Sequence, residues 1–366
     1  MMTLSSCTIE IQNGLLQNQK MLVEQLVSVG HRFAIITDDT LLPLYGRHVC
    51  QTLTEAGMEA FVFSFPAGEL YKTRATKESL ENQLFEKGLG RDTVVVALGG
   101  GVVTDVGGYL AATYCRGVPL VMIPTSLLGM VDASIGGKTG VNVPYGKNMV
   151  GCIYQPQKVL IDPSTLQSLP IRELRNGVVE MIKHALIADS SYFAFLEENS
   201  HDILKMTPEV TERAIFESCR IKKKIVEQDE RGNGKRHLLN FGHTVAHALE
   251  QLTHHRISHG EAVAIGLLVE GHLALQLGHL TLSVFDRMRK ILVDYSLPLQ
   301  LPLQLSLDTI LNAMILDKKS LKGTPRFVII DAIGSARTYD SAYCTHVDEH
   351  LIKNALQWMN DDLCCH

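Results

Sequence analysis

The sequence predicts an α/β first half followed by a mainly helical second half. Two observations carry this reading. Short apolar runs alternate with helical patterns up to about residue 165, and after about Pro170 the glycines thin out and helical periodicity takes over. A chain of 366 residues, 46% hydrophobic and 20% charged, can bury two cores of ordinary size, which excludes disorder as its dominant state.

HRFAIITD (31–38) is a β-branched run ending in an acidic residue. An amphipathic stretch follows, then MEAFVFSFPAGE (58–69) and a helical segment to about Lys87. DTVVVALGGG (92–101) runs straight into glycines, and VPLVMIPTS (118–126) and KVLIDPSTL (158–166) repeat the strand theme. Such runs indicate a mostly parallel sheet covered on both faces. Helices are expected over 171–200, 207–228, 240–254, 259–278 and 283–295. PLQLPLQ (298–304) reads as a Pro-broken connector, and TPRFVIIDAIGSA (324–336) as a strand or hairpin. The tail QWMNDDLCCH reads as a terminal helix with two exposed thiols. The expected domains are 1–168 and 169–366.

A net charge of -5 argues against a broad nucleic-acid-binding face. The N-terminus lacks a basic stretch leading into an apolar one, so no secretory leader is read, and no apolar run has the roughly 18–20 residues of a membrane helix. The eight cysteines form no CxxC pair, which fits reduced thiols and a cytoplasmic location.

LGGGVVTDVGGYLAATY (98–114) follows a strand and opens a helix, where unpaired N–H groups can take a phosphate. The spacing is not GxGxxG, so a nucleotide site and a tight turn both fit. Asp105 would repel a phosphate unless it faces the ribose side. Asp38 and the Gly-Glu-x-x-Lys at 68–72 suit ribose contacts, and equally suit solvated turns. DASIGGKTGVNVPYGKN (132–148) reads as a glycine-rich loop whose Lys138, Lys147, Asn142 and Asn148 suit an anionic, oxygen-rich ligand. Glu180, Lys183 and His184 fall within about one helical turn, His243 and His247 are i,i+4, and His259 opens another helix. Imidazoles with a carboxylate suit Zn²⁺ with an open catalytic position, but spacing does not choose the ligands.

With these motifs quoted, the chain resembles the 3-dehydroquinate synthases of the sugar phosphate cyclase family. The matching stretches are GGGVVTDVGGYLAATYCRGVPLVMIPTSLLGMVDASIGGKTGVN, GKNMVGCIYQPQ, the Glu180–Lys183 helix, LLNFGHTVAHALE and HGEAVAIG, in the family's order from about 65 to 270. The resemblance implies a Rossmann-like NAD-binding N-terminal domain, a mainly α-helical metal-binding C-terminal domain, and a site between them. It implies metal ligation, by Zn²⁺ or Co²⁺, at Glu180, His243 and His259, with His247 moving protons beside the substrate. Asp132, Lys138, Lys147, Asn148, Lys183, Lys222, Arg236 and Asn240 match substrate-contacting positions. Arg116 matches an arginine that reaches phosphate from the neighbouring subunit, implying a homodimer. Asp38, Glu69, Lys72, Gly101, Val102, Val103, Thr104, Asp105, Thr125, Ser126, Lys138, Lys147, Thr165 and Ser168 match cofactor contacts, and a lysine of DKK (317–319) matches a phosphate contact.

The implied activity is a carbon–oxygen lyase reaction of the shikimate pathway, towards chorismate and the aromatic amino acids. A seven-carbon keto-acid sugar phosphate is oxidised by NAD, loses phosphate, is re-reduced, opens and closes by an intramolecular aldol step. The chain departs from the family pattern at Thr40, Ser126 and Ser168. It also has Gly232 where an acidic residue is usual, which puts one contact in doubt. Rival readings are another cyclase such as a 2-deoxy-scyllo-inosose synthase, a metal-dependent polyol dehydrogenase, and a catalytically silent relative. Arg236 with Lys222 favours a carboxylated substrate over the first, the phosphate-side set Arg116, Lys138 and Asn148 argues against the second, and the retained histidines argue against the third.

Overall fold

The computed structural model describes residues 2–4, 7–232, 234–254, 256–302, 304–316, 324–339 and 342–364. The DKK stretch and Cys365 lie outside them. Contacts divide the chain into two units, one of 1–170 with 211–223 and the other of 171–210 with 224–366. The division near 170 lies beside the expected boundary, but residues 211–223 group with the first unit.

In the first unit the strands are β1 (Met2–Leu4), β2 (Cys7–Ile11), β3 (Arg32–Asp38), β4 (Glu59–Phe65), β5 (Thr93–Gly99) and β6 (Leu120–Pro124). The chain continues through β7 (Lys138–Val143), β8 (Gly146–Ile153) and β9 (Lys158–Ile161). A seven-stranded sheet has the order β1-β2-β9-β6-β5-β3-β4. From β2 to β4 every pairing is parallel, and β1 adds an antiparallel edge. The first two strands escaped the sequence reading because they are short and lie outside the alternating pattern. β5 and β6 are buried along their whole length, as central parallel strands covered on both faces must be.

The helices of this unit are α1 (Gln19–Val27), α2 (Arg47–Glu55), α3 (Arg74–Glu86) and α4 (Gly101–Thr113). Leu22, Leu26, Val49 and Leu53 of α1 and α2 join Phe33, Ile35, Val94, Val96 and Leu160 of the sheet in one apolar cluster. α4 approaches β5 and β7 closely through two adjacent glycines. A Cβ on Gly107 would lie 2.8 Å from Ala97 Cβ, and one on Gly108 2.4 Å from Thr139 Cγ2. The stretch expected as a lysine-rich loop is largely an antiparallel hairpin of β7 and β8. Its tight turn through Pro144–Gly146 and the period-2 valines at 141 and 143 explain why it pairs.

The second unit begins with α5 (Ile171–Ala188), α6 (Ser190–Glu198) and α7 (Ser200–Leu204). The stretch expected as one helix over 171–200 breaks at Asp189, whose side chain caps α6 by accepting from Ser191 and Tyr192 N–H. α8 (Pro208–Gln228) follows, then α9 (His243–Leu252), α10 (His259–Gln276), α11 (Leu282–Asp294) and α12 (Leu307–Leu316). β10 (Ile330–Ala332) and β11 (Ser335–Ala336) form the late hairpin, and α13 (Glu349–Leu363) is the terminal helix. Cys364, expected as an exposed thiol, is only 6% exposed because it follows α13 into a bridge with buried Leu301. The described cysteines are all free, and no described helix is long and apolar enough to cross a membrane.

Gly107→Ala places a methyl against the immovable Cβ of Ala97, outweighing the gain of about 1 kcal/mol in helix propensity. Net destabilisation of about 1–2 kcal/mol is expected by denaturant unfolding of the purified protein; equal or greater stability would mean that α4 is not in close contact with β5.

Candidate active site

Each unit carries its own set of candidate residues. In the first, the parallel strands present their carboxyl ends on one side of the sheet, and the order in which strands are added switches direction at β3, which has β4 on one side and β5 on the other. In such sheets the carboxyl ends beside the reversal form the ligand crevice. Asp38 ends β3, and Glu69 and Lys72 follow β4. Gly101, Val102, Val103, Thr104 and Asp105 form the first turns of α4 directly after β5. Thr125 and Ser126 follow β6, while Thr165 and Ser168 follow β9 in the short 3₁₀ helix Pro163–Ser168. Residues scattered over 130 positions of sequence thus come from the same end of successive strands.

The local chemistry suits a nucleotide. The N-cap of α4 is Gly100, with no side-chain cap bond, so first-turn amides are open to an anion. A Cβ on Gly100 would come 3.3 Å from Ser126 Oγ, so glycine keeps this turn narrow. Asp105, suspect beside a phosphate, is neutralised: Lys72 Nζ donates to its Oδ2 at 2.5 Å. Burial raises the Asp105 carboxyl pKa, against the opposing pull of Lys72. Asp38 accepts from the N–H groups of Thr40 and Leu41 at 2.9 and 3.0 Å, and burial raises its pKa despite them. Thr165 and Ser168 are tied into their turn through Asp162 O and Thr165 O.

Lys138 opens β7, and Lys147 and Asn148 lie in β8. Asn142, named in the sequence only as a polar neighbour, is the connector. Its side chain donates to Glu69 Oε1 at 2.8 Å and accepts from Asn148 N–H at 2.9 Å, and its own N–H donates to Lys72 O. Lys222, in the 211–223 segment of α8, donates to both the carbonyl and the carboxylate of Asp132, at 2.5 and 2.6 Å. Arg116 is exposed, in a left-handed run with φ of 50° at Cys115, 69° at Arg116 and 111° at Gly117. Two successive side-chain-bearing residues in this region are strained, and Gly117 N–H to Tyr114 O and Tyr154 Oη to Val118 O hold them there.

In the second unit Glu180 is fully buried on α5. Its Oε1 lies 3.5 Å from Nε2 of His243 and 3.5 Å from Nε2 of His259, while Lys183, one turn along, donates to Oε2. Glu180, His243 and His259 offer ligand atoms within 4.8 Å of one another. Tetrahedral Zn²⁺ with bonds of about 2.0–2.1 Å holds its ligand atoms about 3.3–3.4 Å apart, so the set fits such an ion. The imidazoles are oriented from behind. His243 Nδ1 lies 3.1 Å from Phe241 O, and His259 Nδ1 lies 3.3 Å from Glu250 Oε2. With Nδ1 turned to these acceptors, both rings present Nε2 towards Glu180, the edge that a bound ion would use. Burial lowers the His259 pKa, but Glu180 and Glu250 together outweigh it and raise it to about 10. His247 lies beside the group, its ring 5.6 Å from that of His243 and edge-on to it, and it is in no three-ligand set among the described residues.

Arg236 is buried, with Nη1 donating to Glu230 O at 2.6 Å. Asp229 closes its loop by accepting from the N–H groups of Gly232, Gly234 and Arg236. Gly232, at φ 80°, brings no side chain to this loop. Asn240 lies 3.3 Å from His237 Nδ1. Sequence reading missed Glu250 and Asp229. Glu250 sits seven residues after His243, two turns along the same helix face, and that spacing was its available signal.

A model described as 3-dehydroquinate synthase N-terminal matches residues 62–176, and one described as 3-dehydroquinate synthase C-terminal matches 177–320. The 3-dehydroquinate synthase of Nitrosomonas europaea is 44% identical over 92% of this chain and 90% of its own. A solved 2-deoxy-scyllo-inosose synthase, complexed with carbaglucose-6-phosphate, NAD⁺ and Co²⁺, superposes with a TM-score of 0.88 at 25% identity. The match covers 97% of this chain and 96% of that one. The 2-epi-5-epi-valiolone synthase of Streptomyces hygroscopicus, with NAD⁺ and Zn²⁺ bound, gives 0.87 at 29% identity, covering 99% and 98%.

Asp105→Ala should destabilise the protein by about 3–5 kcal/mol, because it leaves the buried Lys72 ammonium without its carboxylate. Adding Lys72→Met should recover most of the loss in denaturant unfolding; additive losses would show that the two side chains are not coupled.

Proposed function

The chain belongs to the 3-dehydroquinate synthase family, and on that premise we propose that it converts 3-deoxy-D-arabino-heptulosonate 7-phosphate to 3-dehydroquinate and inorganic phosphate. This is a lyase reaction of the shikimate pathway. The observation that carries the reading is the Glu180, His243 and His259 group, gathered around a fully buried carboxylate, in a chain 44% identical to a 3-dehydroquinate synthase over 92% of its length. The bound groups are NAD and a divalent ion, Zn²⁺ or Co²⁺; when bound they supply a reversible hydride acceptor and a Lewis acid. Both ions accept a carboxylate with two imidazoles.

Glu180, His243 and His259 hold the ion. The α4 N-terminus takes the pyrophosphate of the dinucleotide, with Asp38, Glu69, Lys72, Thr125, Ser126, Thr165 and Ser168 around it. The substrate is a phosphorylated carboxylate, and Lys138, Lys147, Asn148, Lys222 and Arg236 meet its anionic ends, with Asn240 and Lys183 orienting its hydroxyls. Oxidation and re-reduction cancel, so the net change is loss of phosphate and closure of a carbocycle. His247, beside the ligands and clear of the ligand set, moves the proton through its imidazole. Gly232 contributes no proton acceptor, which leaves that work to His247 and the substrate's own phosphate. We also propose a cytoplasmic homodimer in which Arg116 serves the neighbouring subunit's phosphate site. Its exposure and strained backbone support a residue held outward for use.

Purified protein with catalytic NAD, a divalent ion and the heptulosonate phosphate should release phosphate and form dehydroquinate in amounts far above the NAD present. NADH accumulating from simple polyols without phosphate release would overturn the proposal in favour of a dehydrogenase. His259→Ala should lose bound metal and activity together, whereas His247→Ala should keep metal and lower kcat by about 100- to 10,000-fold. Metal loss in the His247 variant would move that residue into the ligand set.

For Arg116, mixing Arg116→Ala with His247→Ala chains and letting subunits exchange should restore activity to about a quarter of normal, since half the dimers are mixed and each has one complete site. A mixture as inactive as its components would place Arg116 in its own subunit's site.

A further inference from the structure

We propose that Glu250 is a positioning residue for the metal centre, setting the tautomer, orientation and donor strength of the His259 imidazole. This rests on the reading that Glu180, His243 and His259 hold a divalent cation. The Glu250 carboxylate is buried, its Oε2 lies 3.3 Å from His259 Nδ1, and the opposite ring nitrogen lies 3.5 Å from Glu180 Oε1. An imidazole between two carboxylates in this order is the carboxylate–histidine–metal arrangement, in which the outer carboxylate accepts the Nδ1 proton and leaves Nε2 as the ligand.

His243 Nδ1 faces a backbone carbonyl, that of Phe241, at 3.1 Å. The two imidazoles are therefore unequal donors, because a carboxylate acceptor adds charge to the ring where a carbonyl does not. The connectivity adds a second consequence. Glu250 and His243 share α9, so that helix supplies one ligand directly and sets another, on α10, through a side chain. His259 opens α10 behind a Ser258–Glu261 capping box, which fixes its backbone, but its ring still requires an acceptor to fix rotation about Cβ–Cγ.

The test separates ligand positioning from fold maintenance. Glu250→Leu removes the acceptor and leaves the His259 ring without its carboxylate, so that variant also reports on the fold, whereas isosteric Glu250→Gln isolates the effect on the metal centre. Zinc affinity measured by chelator competition should fall about 100-fold, and about 10-fold in Glu250→Gln, which keeps an acceptor without the charge. Metal-free melting of Glu250→Gln should stay near that of the parent protein. The visible bands of the Co²⁺-loaded variants should shift, since donor strength at one ligand has changed. Zinc affinity within threefold of the parent in both variants, with unshifted Co²⁺ bands, would overturn the proposal. His259→Ala is the control: if it retains metal, the underlying ligand assignment fails, and if it loses metal while Glu250→Leu does not, only the positioning role fails.

Discussion

A carboxylate with no exposed surface governs the second unit. Glu180 is buried on α5, and an ionised oxygen pair there is costly unless cationic or donor groups converge on it. Lys183 reaches one oxygen from the same helix, and His243 and His259 approach the other from α9 and α10. Three helices must therefore come close, and glycines at their crossings allow it. A Cβ on Gly260 would lie 2.5 Å from Asn176 Cα, so α10 begins almost in contact with the α5 backbone. Asn176 Oδ1 fixes that crossing by accepting from Ser258 Oγ and Gly260 N–H. Where α9 meets α10, a Cβ on Gly266 would lie 2.0 Å from the carbonyl oxygen of Gly242, itself at φ 79°. Substituting either crossing would push an imidazole away from Glu180.

The first unit solves a different problem with strand direction. Parallel strands deliver every following loop to one edge, so a nucleotide site can be assembled from short, local segments after β3, β4, β5, β6 and β9. The hairpin of β7 and β8 is tied to this edge through Asn142, which bonds to both Glu69 and the backbone of Lys72. The Lys72–Asp105 pair then removes the conflict of a carboxylate in the first turns of a helix otherwise suited to an anion.

The layers of the fold were legible because periodicity is local: HRFAIITD, DTVVVALGGG and VPLVMIPTS became β3, β5 and β6 nearly as written. What stayed hidden was whatever depends on long-range pairing. β2 is recognisable only through its partner β9, about 150 residues away, and the 211–223 segment of α8 groups with the first unit although its sequence looks like the helices around it. At the histidines, i,i+4 spacing made His243 and His247 an obvious pair, yet the three-ligand group joins His243 to His259 and Glu180 instead. His243 and His247 do share a helix face, but it is the Nε2 of His243 that meets Glu180 of α5 and joins His259 of α10. Spacing along one helix could not report what two other helices bring.

The cations of the proposed substrate set share a feature that bears on how a chain of net charge -5 handles a multiply anionic molecule. Lys183 is held by Glu180, Lys222 by the carbonyl and carboxylate of Asp132, and Arg236 by Glu230 O in a loop closed by Asp229. Each is buried or nearly so, and each is already fixed before any anion arrives. Ordering long side chains costs free energy at binding, about 0.5–1.5 kcal/mol each, and here that cost falls on folding instead. The acceptors also temper the positive field around each cation, so a passing anion gains little from any one of them.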